Sequence, residues 1–517
     1  MTRPTALLAL VAVLGAVLVF AGLDRRYLWD DEAETALLAQ RVLRFGVPIA
    51  WDGRNLISQE CSTDFDANYL WRQTPWAQFY LEALSFKLLG AGTFTARLPF
   101  APLGVLTIVS LYAVGVSLFG DRALALVASF LLTSSVPFLL HVRQARYYAI
   151  AALATVWVLY FFFALLRDRR GAVLGLALAM SVLFHSNYLA MVATAAGLAL
   201  AFLAFPFDAP TALRLGGAGL VTLAINLPWL LIFDLRGKSR VALAVASAGL
   251  YARTLWHYVV GLELHACSVV LLGLLVAAAI VLAAGRLWQA WPVPRTCLAL
   301  VLFGLGYVLT LSAAPFAFFR YVVPLLPALA LLQAAVLRAL WSTSRILAIV
   351  GIALLVFLDR GDLSRGELGS APVKYLYEVT HDAPGPIAAI VGYLRAHARP
   401  GERVFITYGD LPLRFYAADL EVRGGQGCQS LAGWPLPDWI IARFFLRFRS
   451  PVNRAAVDAD VERTLRYLRT EIPLQRYREI QLPTVDTVWE NIPEPDFHRY
   501  REASEGPRIT IYQRVAP

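Results

Sequence analysis

The apolar run Thr5–Leu23 leads within a few residues into Tyr27-Leu28-Trp29-Asp30-Asp31-Glu32-Ala33-Glu34. Such a run can cross a bilayer, whose hydrocarbon core takes about 20 apolar residues. It is too long for the apolar core of a typical signal peptide, so it reads as an uncleaved first transmembrane helix. Four carboxylates then follow within five residues at a membrane–water boundary. Ionisable groups held near a membrane are costly and read by default as functional candidates. A plainer reading stands beside this one. Asp31 and Glu34 have the spacing of a capping box, and Glu32 suits a helix N-terminus, where the helix dipole favours negative charge. The octet alone leaves capping and chemistry both open.

Composition decides the class. Of 517 residues, 58% are hydrophobic and 16% charged, against about 25% charged in a soluble domain. The chain is therefore expected to be a polytopic membrane protein. Its net charge of +10 needs no nucleic acid to explain it, because membrane proteins gather cations in cytoplasmic loops. No nucleic-acid motif is present. Four cysteines without a C-x-x-C pattern argue against a zinc site. Cys61 and Cys428 both fall in polar stretches expected outside the cytoplasm, where a disulfide could persist.

Downstream of the octet lies a long polar-aromatic segment, 24–96. Leu38, Val42 and Phe45 recur there at helical spacing, with Gln40, Arg41 and Arg44 opposite, as in an amphipathic helix lying in the interface. Apolar runs then come near 97–119, 123–140, 148–166, 172–184, 188–205, 215–233, 267–284, 296–313, 320–337 and 345–358. With the first helix these give about eleven spans. The run 172–184 is short enough for a broken or shallow pair with a neighbour. Beyond 358 Pro, Gly and charge rise. A helix is expected over Pro386–Ala398, strands over Glu402–Tyr408, Asp438–Phe445 and Ile509–Arg514, and a loop over Pro483–Pro495. The expected architecture is thus a helical membrane domain, 1–358, that includes the outer loop 24–96, followed by a soluble α/β or α+β domain, 359–517.

Sidedness follows from the short loops. With the N-terminus inside, Arg122, Arg167, Arg169, Arg170, Arg214, Arg286, Arg295, Arg338 and Arg345 fall on the inner side, as the positive-inside rule asks. The octet and the C-terminal domain then lie outside. Arg143, Arg146, Arg236, Lys238, Arg240 and Arg320 are cations on the side where topology does not ask for them. Each could snorkel or pair locally. Arg146 and Arg320 are the favoured candidates for gripping a phosphate, which matches the planar fork of a guanidinium.

An acidic cluster, outer arginines, His185 at an outer turn and access to lipid suit group transfer from a lipid-phosphate donor. One carboxylate would take the proton of an acceptor hydroxyl as it attacks an anomeric carbon. The leaving lipid phosphate is already a good anion and needs positive charge near it, not an acid.

At this point the sequence resembles the GT-C-type membrane glycosyltransferases, in the branch with protein O-mannosyltransferases and lipid A aminoarabinose transferases. Four pieces carry the likeness: Asp31-Glu32 followed by Ala39-Gln40-Arg41-Val42-Leu43-Arg44-Phe45-Gly46-Val47-Pro48, Arg146-Tyr147-Tyr148-Ala149 opening a span, His185 with Tyr188, and Arg320-Tyr321 with Pro324 and Pro327. The resemblance covers roughly residues 1–358. It implies a polyprenyl-phosphate-linked sugar as donor, an extracytoplasmic acceptor (cell-envelope lipid, glycan or protein) and inversion. It also implies the location, a bacterial cytoplasmic membrane. Asp31 and Glu32 map onto the family's acidic pair, with Asp31 the expected base. Asp30 is an extra acid beside them, and with Arg72, Arg143, Arg146, Tyr147, His185, Arg320 and Tyr321 it makes up the expected substrate-binding set. Arg72 stands near the place of a Lys-Pro element of the aminoarabinose transferases. Gln144 stands where the family often has an acid, which weakens a two-carboxylate metal site. A divalent cation on Asp31 with Glu32 or His185 remains open; no organic cofactor is implied. The rival readings are phosphoethanolamine transfer, which would want a clearer metal cluster, and a transporter or flippase, which would predict internal repeats and midplane charges.

Overall fold

The computed structural model describes residues 3–233, 294–312, 318–357, 371–443, 454–487, 491–493 and 498–515. In chain order the first helices are α1 (Arg3–Phe20), α2 (Asp30–Phe45), α3 (Ala77–Leu89), α4 (Thr93–Arg97), α5 (Ala101–Phe119), α6 (Arg122–Ser134), α7 (Val136–Val142) and α8 (Tyr148–Leu166). They are followed by α9 (Ala172–Ser186), α10 (Tyr188–Phe202), α11 (Ala209–Ile232), α12 (Pro294–Leu311), α13 (Leu326–Thr343) and α14 (Arg345–Phe357). Then come α15 (Ala371–Thr380), α16 (Pro386–His397), α17 (Asp410–Tyr416) and α18 (Arg454–Arg466). Contacts divide the described chain into two compact units, one of residues in 3–21 and 100–377, the other of residues in 22–99 and 378–515. The outer loop thus groups with the C-terminal region.

The first unit is helical. Among the described residues four helices are long and apolar enough to cross a membrane: Thr93–Phe119, Tyr148–Leu166, Ala209–Ile232 and Phe319–Thr343. Pro4–Phe20, Ala172–Ser186, Tyr188–Phe202 and Arg295–Leu311 are shorter apolar helices. The expected span 267–284 lies outside the described residues, as do Arg236, Lys238 and Arg240. The expected single run 123–140 is instead two helices, α6 and α7, bent by 67°. Ser135 between them is extended, and Pro137 sits in the first turn of α7, where a missing N–H does no harm. The short run 172–184 is α9, which turns at Asn187 into α10; the Asn187 side chain caps α10 by accepting from Ala190 N–H.

One end of this unit is cationic. Arg167 donates to the carbonyls of Ser117 and Leu118 at the end of α5, and Arg338 pairs with Asp121 at 2.6 Å. Arg122, Arg169 and Arg170 stand on the same connections. The other end is tied by Arg143, which donates to Ala21 O at 2.6 Å and to Tyr375 Oη at 3.1 Å.

The second unit holds a five-stranded sheet of β1 (Arg403–Ile406), β2 (Glu421–Gly424), β3 (Trp439–Ile441), β4 (Tyr477–Val485) and β5 (Arg508–Arg514). Its order is β2-β1-β3-β5-β4, with β2, β1 and β3 parallel and β5 antiparallel to β3 and β4. Parallel strands are covered on both faces and read as continuous apolar runs, which is why Val404-Phe405-Ile406 and Trp439-Ile440-Ile441 are legible. Alternation sends Val404, Ile406, Trp439 and Ile441 toward α16, with Ile387, Ile390, Val391 and Leu394. Phe405 and Ile440 point to the other face, against Trp434, Tyr467 and Tyr477. The expected loop over Pro483–Pro495 begins inside β4, at a register shift between Gln481 and Val485. A bulge tolerates a proline, which cannot donate to the ladder.

The outer loop seals the exposed edge of β2. The Asn55 amide donates to Leu420 O at 3.1 Å and accepts from Val422 N–H at 2.9 Å, occupying backbone groups that an edge strand otherwise leaves open. Cys61 and Cys428 form a disulfide across 367 residues of sequence. Cross-links that close long loops restrict the unfolded chain most, typically by about 2–4 kcal/mol. Joint Cys61→Ser and Cys428→Ser replacement should destabilise the oxidised full chain in detergent by that order, seen as a lower melting midpoint. An unchanged midpoint would mean that the loop is held by its polar contacts alone.

Candidate active site

α2 starts without a capping box. Its N-cap is Trp29, extended and with no side-chain cap, and Asp30, Asp31 and Glu32 form the first helical turn. A capping side chain is therefore absent, while the acids do occupy the first turn, where the helix dipole favours negative charge. Along α2, Leu38 and Val42 are buried and Phe45 is 43% exposed, and the helix packs against α3 and α17. Asp30 and Asp31 are 6% exposed, Glu34 3% and Glu32 not at all. Buried carboxylates need partners, and the partners differ.

Glu32 is taken up by Arg97. The guanidinium donates to both carboxylate oxygens at 2.7 Å and to the carbonyls of Leu23, Arg26 and Tyr27. Asn491 adds a bond to Glu32 at 3.3 Å and one to Tyr27 O. Arg97 thus fastens the start of α2 to the chain that enters it. Glu34 accepts from the Gln59 amide at 2.7 Å.

Asp30 faces the C-terminal ends of the parallel strands, the side of an open α/β sheet where sites gather. Tyr408, in the turn after β1, stands near enough to draw its pKa downward. Asp410 opens α17 and pairs with Arg414 at 2.9 Å. Arg443, just after β3, grips Asp486 at 2.8 and 3.0 Å and lies over the Tyr408 ring, 5.5 Å from its centroid. The backbone makes room for this: Gly425 is left-handed at φ 66°, and a Cβ there would overlap the Asp410 carboxylate.

Burial first, then the negative charge of Asp410, raises the Asp30 pKa to about 7; Tyr408 and Arg443 pull the other way. Burial also holds the Tyr408 hydroxyl well above its ordinary value, so it stays a donor. A carboxyl whose folded pKa is raised stabilises the fold fully below its unfolded pKa, and that contribution is lost as pH rises through the folded one. The window runs from about 4 to about 7. Asp30→Asn should therefore stabilise the chain more at pH 8 than at pH 5, by roughly 2 kcal/mol. Equal effects at both pH values in detergent melts would show that Asp30 does not carry the shift.

The other expected residues are divided between the two units. Arg72 pairs with Asp66 at 2.7 Å within the outer loop. In the helical unit Arg146, Tyr147, Arg320 and Tyr321 stand within electrostatic reach of one another. There the Arg320 guanidinium lies 4.1 Å from the Phe318 ring centroid. Arg143 serves the tie to Ala21 and Tyr375 described above. His185 is half-buried edge-on against Trp229, 5.1 Å between centroids. Among the described residues no three His, Cys, Asp or Glu side chains stand together as metal ligands. With both Glu32 oxygens on Arg97, an Asp31–Glu32 metal pair does not fit.

Arg97, Tyr408, Asp410 and Arg443 were not read from the sequence as site residues. Arg97 had a signal: it opens an apolar run at the end expected to be outside, as Arg143 and Arg320 do. The other three had none, because nothing in the chain places residues 408–443 beside residue 30.

Residues 73–232, less than half of the chain, match the model of the dolichyl-phosphate-mannose-protein mannosyltransferase family. No curated protein matches the sequence. Among solved structures, ArnT from Cupriavidus metallidurans in the apo state is similar, with a TM-score of 0.59, 16% identity, and coverage of 99% of both chains. The same protein bound to undecaprenyl phosphate gives a TM-score of 0.55 at 15% identity, over 88% of this chain and 95% of that one. At such identity the likeness is one of fold. The chain is a polytopic membrane protein whose fold is similar to that of ArnT.

Proposed function

We propose that the chain is a glycosyltransferase that moves a sugar, with inversion, from a polyprenyl-phosphate donor to an extracytoplasmic acceptor. The observation that carries this reading is the buried acidic first turn of α2, where Arg97 neutralises Glu32 and Asp31 is kept beside Asp30. Asp31 is the base: it accepts the acceptor's hydroxyl proton as that oxygen bonds to the anomeric carbon. The bond from that carbon to the phosphate oxygen breaks with its electron pair, and polyprenyl phosphate leaves. Arg146 and Arg320 are the proposed phosphate ligands, guanidinium forks being suited to that anion. The cationic end of the helical unit is the cytoplasmic one by the positive-inside rule, so the acidic stretch is assigned to the outer side. ArnT, bound to undecaprenyl phosphate in its own structure, supports the donor class.

The test uses the purified chain in detergent, with a polyprenyl-phosphate sugar radiolabelled in the sugar and cell-envelope lipid extract as acceptor. Loss of label from the lipid carrier into acceptor supports transfer. A micelle has no sides, so a flippase would leave the donor intact. Intact donor in detergent, combined with movement of donor between leaflets of a proteoliposome, would replace this reading by the transporter.

A further inference from the structure

The second unit contains a cavity of about 590 Å³, none of whose lining residues belongs to the acidic first turn of α2. Its size falls within the roughly 300–1,000 Å³ of small-molecule sites. Four arginines line it, Arg26, Arg499, Arg501 and Arg508, against two glutamates, Glu502 and Glu505. Cations gathered in one concavity raise the local potential for an anion. The walls are fixed in place. One Glu378 oxygen lies 3.4 Å from Arg26 Nε and the other 2.6 Å from His498 Nε2, while His498 Nδ1 lies 2.7 Å from Ile492 O. A single buried carboxylate thus holds Arg26 and the start of the segment that carries Arg499 and Arg501. Where β4 meets β5, Asp486 N–H donates to Pro507 O at 2.7 Å. Gly506 there takes φ 140°, and a Cβ would come within 2.8 Å of Val485 Cγ1. That close approach brings Val485, Gly506 and Arg508 together on the cavity wall.

The arginines have donors to spare. Arg26 Nη2 is buried and makes no hydrogen bond among the described residues, and a buried charged donor left unmet is costly. Arg499 and Arg508 are exposed, and neither forms an ion pair among the described residues. We propose that this cavity binds a phosphomonoester carried on a larger polar body, either a phosphorylated sugar or a phospholipid headgroup. Arg26, Arg499 and Arg508 grip the phosphate, whose oxygens match the guanidinium fork. The cavity is larger than one phosphate requires, so the body that bears it occupies the remainder. Glu502 and Glu505 suit the hydroxyls of that body, since a carboxylate only accepts hydrogen bonds. None of the acids of α2 takes part, so this site does not rest on the glycosyltransferase reading.

The test is isothermal titration of the purified full chain in an uncharged detergent. The probes are glucose 1-phosphate, dihexanoyl phosphatidic acid below its micellar concentration, inorganic phosphate, and glucose. At least one phosphomonoester should bind about tenfold more tightly than inorganic phosphate, and glucose should not bind. Whichever phosphomonoester binds more tightly identifies the source, sugar or lipid. Arg499→Ser combined with Arg508→Ser should weaken that binding by about tenfold or more, and Glu505→Gln should tighten it. Both arginines are exposed, so their loss leaves Arg26, Glu378 and His498 in place and the fold intact. Arg469→Ser combined with Arg476→Ser removes the same charge from exposed positions outside the cavity. That pair should leave affinity within about twofold at about 0.15 M salt, where distant exposed charges are screened. No saturable binding of either phosphomonoester would overturn the proposal. Equal weakening by the cavity pair and the outside pair would do so as well, because attraction would then come from net charge alone.

Discussion

Asp31→Asn should reduce turnover of the polyprenyl-phosphate sugar by about 10²–10⁴-fold, the usual contribution of a positioned general base. The substitution keeps the shape of the side chain and removes its ability to take a proton. Loss should therefore appear in kcat, with the donor KM nearly unchanged, as for an interaction made only in the transition state. Of the neighbouring acids, Glu32 is paired with Arg97 and Glu34 accepts from Gln59. Glu32→Gln is then the informative companion, because its damage should fall on folding. Matched folded yield by size exclusion is required before the rates are compared. A kcat for Asp31→Asn within threefold of wild type would remove Asp31 as the base and leave Asp30 as the group to test.

Arg97→Met should destabilise the chain by about 3–5 kcal/mol, because it strands a fully buried carboxylate. Arg97 is 3% exposed and Glu32 wholly buried. Besides the pair itself, three carbonyls lose their donor, and each unmade buried bond costs about 1–3 kcal/mol. Two consequences separate charge from packing. Arg97→Lys keeps the charge but not the fork, so it should recover only part of the loss. Adding Glu32→Leu to Arg97→Met should restore stability relative to either single change, since an apolar pair of similar size can replace a buried ion pair. Denaturant melts of the full chain in detergent read all four species. Strictly additive losses would show that the two side chains do not depend on each other.

The membrane class was legible because the bilayer imposes one requirement on every span, a run of apolar residues of sufficient length. Helix positions in the first unit followed from that rule. The break between α6 and α7 did not, since Ser135 and Pro137 leave the hydropathy of 123–140 unchanged. β1 and β3 could be read because buried parallel strands are continuous apolar runs, and β5 because its apolar residues alternate with polar ones. β2, Glu421-Val422-Arg423-Gly424, escaped because it is an edge strand with a single buried residue. The acids of α2 were found from their density alone, without knowing what each does.

What the sequence by itself determined, then, was the class of protein, the apolar segments and the place where carboxylates gather. Only the folded chain shows which carboxylate is paired with Arg97 and that the outer loop folds with the sheet. Hydropathy and local charge are properties of neighbours in the chain, so the sequence displays them directly. The pairings of residue 32 with 97 and 61 with 428 depend on chain closure over tens to hundreds of residues, which no local pattern encodes.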